Sequence, residues 1–247
     1  MFKKPAVFLA MMFVALNSAA ALAQTVSIDL GGAGTASASA RIIQMILLIT
    51  VLSIAPSILI MTTSFTRIVV VLSIARNAIG MQTTPPTAVL VSLALFLTGF
   101  IMAPTFQRSY NEGLAPMMAE RVTTQRGVEL AIAPLHQFML ANVRDKDLEL
   151  FMNMRRDADA ITAPEEVPLS ALVPAFMISE LRRAFEIGFL LFLPFMIIDM
   201  LVASILLSMG MMMLPPSMMA LPFKIIFFVL IDGWYLLAGS LMQSFVR

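Results

Sequence analysis

Residues 190–245 read LLFLPFMIIDMLVASILLSMGMMMLPPSMMALPFKIIFFVLIDGWYLLAGSLMQSF. Two long apolar runs flank Gly210 and the pair Pro215-Pro216, residue types that punctuate a chain with turns. Each run approaches the ~20 residues that cross a hydrocarbon core as a helix, at ~1.5 Å per residue. The stretch therefore predicts a helical hairpin. Its apex is unusual, because Met209, Met211, Met212 and Met213 occupy a turn that would ordinarily be polar. Its legs carry Asp199, Lys224 and Asp232, and charge within an apolar helix is costly and usually functional.

The rest of the chain fits a membrane setting. Of 247 residues, 60% are hydrophobic and only 13% charged, against about a quarter charged in a soluble domain. The fold class expected is an all-α membrane-complex protein: helical hairpins with kinked hydrophobic helices and a small helical extracytoplasmic insert. A net charge of +1 argues against a nucleic-acid partner, which would call for a basic patch. The absence of cysteine excludes disulfides and thiolate metal sites, and the single His136 cannot build a histidine site. With no Ser-His-Asp set and no Gly-rich phosphate loop, the expectation is no catalytic residue, no cofactor, no metal and no enzyme.

Residues 1–23 read as a signal peptide: Lys3 and Lys4, then an apolar stretch, then Ala21-Leu22-Ala23 with cleavage between Ala23 and Gln24. Residues 24–41, rich in Gly, Ala and Ser, read as a flexible tail. The first hydrophobic helical pair is expected over 42–104. Pro56 should kink its first member and Pro104 should end its second. Between them, Arg67 and Arg76 lie in a stretch with no acidic residue from Met61 to Thr87, which positive-inside bias places in the cytoplasm. Residues 105–184 form a polar insert. Val128, Ile132, Leu135 and Met139 should line one helix face there, and Leu148, Phe151 and Met152 another. Pro174 suits a helix start, and Arg182 with Glu186 is an i,i+4 ion pair. Residues 185–247 are the hairpin.

The charges on the legs admit several chemistries. Counted from Leu214, Asp199 and Asp232 differ by only ~5 Å in height, as two catalytic aspartates would. The Gly-x-Gly-Asp context of intramembrane aspartyl proteases is absent, however. Lys224 and Asp232 are ~12 Å apart along one axis and do not pair. Asp199 stands ~7 Å higher than Lys224 on the same count, so pairing is expected between copies rather than within one chain. Glu180, Glu186, Asp199, Lys224 and Asp232 are thus candidate subunit-contact charges. An ion path through the same groups is the alternative, and a snorkelling Lys224 is the plainest one. Scattered methionines are ordinary core filler. At the apex they would face water unless they met copies of themselves.

Two longer motifs carry a family resemblance. PAFMISELRRAFEIG at 174–188 and LPFKIIFFVLIDGW at 221–234 are similar to the signatures of the FliP family, flagellar export-gate proteins with virulence-system counterparts. TSFTRI at 63–68, RNAIG at 76–80 and Pro85-Pro86 fit as well, with small departures at Ile79 and Met81. The resemblance covers about residues 42–245. It implies a homo-oligomer assembled with FliQ and FliR type subunits, working with other export proteins such as FlhB and FlhA. It further implies a channel for unfolded flagellar polypeptides, set in the inner membrane and the basal body. The family's methionine-rich loop, a gasket for the closed pore, maps onto Met211, Met212 and Met213.

Overall fold

A computed structural model of the protein describes residues 35–155, 166–211 and 214–245. The expected signal peptide with its Ala23/Gln24 junction, the tail to residue 34, most of the acidic loop, and Met212 and Met213 lie outside them. All regular structure among the described residues is helical. The described residues fall into two units, 35–52 and 53–245.

The first helix, α1 (Thr35–Thr62), begins inside the expected tail and runs unbroken through Pro56. From Ile42 to Met61 nearly all its side chains are exposed. The expected kink does not break it. A proline removes one intrahelical bond, but in an apolar run a full break would strand still more backbone groups without water to receive them. The same argument corrects Pro104. Helix α3 (Thr87–Ser109) passes through it and continues as a π turn, Tyr110–Leu114, into the short α4 (Ala115–Met118).

Between α1 and α3, the second helix takes the central place. Helix α2 (Phe65–Ile79) buries Ile68, Val71, Leu72, Ala75, Ala78 and Ile79. These pack against Leu90 and Ala94 of α3 and against side chains from the hairpin. The sequence places this stretch in a loop between spans, whereas the structure makes it the axis of the core. The turn before it is closed by the Thr66 hydroxyl, which donates to the Ile60 carbonyl at 3.2 Å.

The polar insert holds α5 (Thr124–Asn142) and α6 (Asp145–Asn153). The face of α5 differs from expectation: Val128 and Ile132 are exposed, while Gly127, Pro134, Met139 and Asn142 are buried. Close backbone approach decides this. A Cβ on Gly113 would lie 2.4 Å from the Ala131 nitrogen, so the small-residue face turns inward and the branched face is left out. Leu148 and Met152 of α6 do pack together, beside a second cluster of Met139, Val167, Leu172 and Phe176.

Helix α7 (Leu169–Ser208) is 40 residues long and crosses the expected junction at 184/185 without interruption. It starts behind Pro168, with Pro174 and Pro194 in its interior, so Pro174 is not the helix start. At Gly188 a Cβ would meet the Ile74 side chain at 2.4 Å, which is how closely α2 and α7 approach. The return leg is two helices, α8 (Pro216–Leu230) and α9 (Gly233–Gln243), bent by 62°. Three helical segments, Ile42–Thr62, Thr87–Met118 and Leu169–Ser208, are long and apolar enough to cross a membrane, and the bent pair could make a fourth.

Candidate functional site: two ion pairs and a methionine apex

Lys224 and Asp199 meet within one chain. The Lys224 ammonium donates to Asp199 Oδ2 at 2.6 Å and to the Ala78 carbonyl at 3.2 Å, near the C-terminal end of α2. This corrects the pairing placed between copies. The height difference came from counting the apex as helix, whereas α7 stops at Ser208 and α8 starts at Pro216. Measured from those ends, Asp199 is nine residues up and Lys224 eight, level to within ~1.5 Å. The pair is lopsided: the Lys224 side chain is 6% exposed and that of Asp199 33%. Removing Asp199 strands a buried cation, and removing Lys224 strands a carboxylate on an apolar helix whose Oδ1 is already buried without a partner. Asp199→Ala and Lys224→Met are therefore each expected to destabilise by about 3 kcal/mol. Thermal unfolding of the detergent-purified protein reads both, and either variant as stable as the parent would contradict this account.

A second pair lies deeper. The Arg67 guanidinium of α2 grips the Glu180 carboxylate of α7 through Nε at 2.8 Å and through Nη2 to Oε1. Arg67 Nη1 also donates to the Ser244 carbonyl at 3.2 Å and hydroxyl at 2.9 Å, and the Phe245 ring lies 3.7 Å below the guanidinium carbon. Glu180, expected as a subunit contact, is thus engaged inside its own chain. Its near neighbour Glu186 accepts from Arg182 at 3.1 Å, the expected i,i+4 pair, and lies 3.8 Å from Arg144. Ser179 bridges the insert to α7: its hydroxyl donates to Asp147 at 2.7 Å and accepts from the Arg144 amide at 3.0 Å.

Asp232 has a backbone role. It sits at φ 52°, ψ 53°, the left-handed region, at the joint between α8 and α9. Aspartate tolerates that conformation better than most residues, and a β-branched residue tolerates it poorly. Phe228 and Trp234 brace the bend edge-to-face at 5.3 Å. Asp232→Gly should leave stability within about 0.5 kcal/mol, and Asp232→Val should cost roughly 1–2 kcal/mol. Equal melting temperatures for the two variants would mean that the joint does not need this geometry.

At the apex, Gly210 turns the chain at φ 73°. The Met211 amide donates to Leu206 and the Gly210 amide to Leu207, closing the end of α7. Met209 is 66% exposed and Met211 40%. Met218 and Met219 are exposed just beyond. A tight turn thus presents a crown of thioethers, Met209, Met211, Met218 and Met219, that the described residues leave exposed.

The FliP family model matches residues 48–241, which take in both ion pairs, the bend and the apex. The chain belongs to the FliP family. It is 56% identical over 241 residues to "Flagellar biosynthetic protein FliP" of Caulobacter vibrioides, covering 97% of this chain and 89% of that one. It is 54% identical over 203 residues to the Bacillus subtilis protein of that name, covering 82% and 91%. Identity to the Rhizobium meliloti protein is 52% over 211 residues, covering 85% and 86%. Within this FliP-family chain, Arg67 is the site residue that the sequence reading missed. The available signal was a cation inside the TSFTRI motif, in the first turn of a mostly apolar helix. Among the described residues no group of His, Asp or Glu side chains suits a metal ion.

Proposed function

We propose that the chain, as a component of the flagellar export apparatus, is a non-enzymatic core subunit of the export gate. Several copies, with FliQ and FliR type subunits, line a channel for unfolded flagellar polypeptides, and the apex residues Met209, Met211, Met212 and Met213 close it. FlhB and FlhA type proteins complete the apparatus at the inner membrane and basal body. The observation that carries this reading is the exposed thioether crown on a tight, capped turn. Apolar side chains at a turn face water unless copies of the turn meet, and a ring of flexible thioethers makes a deformable seal. The ion pairs hold the hairpin that presents the apex. Lys224 and Asp199 neutralise each other within the chain, which weighs against the ion-conducting alternative. Coexpression with FliQ and FliR type subunits, purification and electron cryomicroscopy test the reading. The expected image is a ring of several copies with the apices at its narrowest point. A monomer, or apices facing away from the axis, would overturn it.

A further inference from the structure

The unit 53–245 has a groove between α7 and α9 whose chemistry changes along its length. Its mouth is a cleft of about 630 Å³ lined by Arg67, Arg144, Arg183 and Glu186 together with Gln243 and Ser244. Ile187 lines this cleft and also an adjoining apolar cleft of about 440 Å³. The apolar part lies between Leu191, Pro194 and Phe195 on one side and Leu236 and Leu237 on the other. From Arg183 to Phe195 is twelve residues of helix, ~18 Å, close to the ~15 Å of one leaflet's hydrocarbon.

The charges at the mouth do not balance. Arg67 is taken by Glu180, and Arg144 lies 4.0 Å from Asp147 and 3.8 Å from Glu186. Glu186 also accepts from Arg182. Arg183 is half-buried, makes no hydrogen bond or ion pair among the described residues, and feels only the charge of Glu180, which Arg67 already holds. Four arginines thus face three carboxylates, and the unmatched cation is the one at the head of the apolar arm. A free phosphate would use the cation and leave the apolar arm empty, while a neutral lipid would leave the surplus of positive charge at the mouth unbalanced. A basic pocket at the head of an apolar groove between helices matches an anionic lipid.

We propose that this groove binds an anionic phospholipid, with the phosphate at Arg183 and Arg144 and one acyl chain between α7 and α9. The inference needs the membrane setting alone and stands or falls apart from the gate and its seal. The test uses the assembled full chain, purified in mild detergent and incubated with equal amounts of phosphatidylglycerol and phosphatidylcholine, with retained lipid read by native mass spectrometry. Phosphatidylglycerol should be retained in clear preference, the preference should fall with added sodium chloride, and millimolar inorganic phosphate should not displace the lipid. Arg183→Gln should lower phosphatidylglycerol retention roughly fivefold and Arg183→Lys should restore most of it. Equal retention of the two lipids, or an unchanged value in Arg183→Gln, would overturn the proposal. The salt dependence of the unmodified protein keeps the test decisive if a variant fails to assemble. Because the chain has no cysteine, Leu236→Cys supplies a sole thiol. Its cross-linking in membranes to another protein chain would show the groove covered by protein, and would also overturn the proposal.

Discussion

Arg67→Gln is expected to unfold or nearly unfold the protein at physiological temperature. Arg67 and Glu180 are 1% and 0% exposed, so neither charge reaches water when the other is removed. The truncation leaves a buried carboxylate without its counter-ion, a loss of about 3–5 kcal/mol, with the upper end fitting a pair this enclosed. That is a third or more of the ~5–15 kcal/mol that holds a typical domain together. The loss also unties three elements together, because Arg67 links α2 to α7 and to the chain after α9 through Ser244 and Phe245. Arg67→Lys should fall well short of rescue, since an ammonium cannot reproduce the two-pronged grip or the flat contact with the Phe245 ring. Glu180→Gln should be damaging for the mirror reason, leaving a buried guanidinium. The double variant Arg67→Met with Glu180→Leu should recover much of the loss, because an apolar pair of similar size needs no counter-charge. Melting temperatures of detergent-purified protein, alongside swimming motility of complemented cells, give both comparisons. Singles as stable as the parent, or a double variant worse than both, would remove this pair from the account.

What the sequence shows best is what local pattern controls. The hairpin, its methionine apex and the Arg182–Glu186 pair all follow from spacing over a few residues, and all three are present. The Lys224–Asp199 pair is a near miss of arithmetic: counting residues between Ser208 and Pro216 as helix moved two level charges ~7 Å apart. The bend at Asp232 was written in Asp232-Gly233, a common turn dipeptide, but the apolar residues on both sides masked it as one continuous run. The centrality of α2 was not legible. It is short, it carries two arginines, and 113 residues separate Arg67 from its partner. Which of several apolar helices becomes the axis depends on which surfaces meet, and at Gly188 and Ile74 that is settled by a backbone approach with no periodic signature. The same holds for α5, where Gly113 selects the small-residue face over the more hydrophobic one.

Replacing Met209, Met211, Met212 and Met213 together by alanine is expected to open the closed gate to ions while export continues. Met209 and Met211 are exposed, so replacing these two should cost the hairpin no more than about 0.5 kcal/mol per site. The effect should therefore fall on the assembly and spare the fold. A constriction lined by apolar side chains excludes ions by staying dry. Shortening four side chains per copy widens the constriction and lets water through. Isoleucine in place of the same methionines separates the two demands on the apex. Its bulk fills the gap, so the closed state should stay tight, but its stiff branched Cβ should yield less readily to a passing polypeptide and slow export. Methionine, unbranched and with three rotatable bonds, meets both demands. Conductance of the closed complex in planar bilayers reads the first property, and the rate of hook and filament protein release reads the second. If the alanine variant conducts no more than the parent, the apices do not form the seal. If the isoleucine variant exports at the parent rate, then flexibility is not why methionine is there, and bulk alone explains the crown at Gly210.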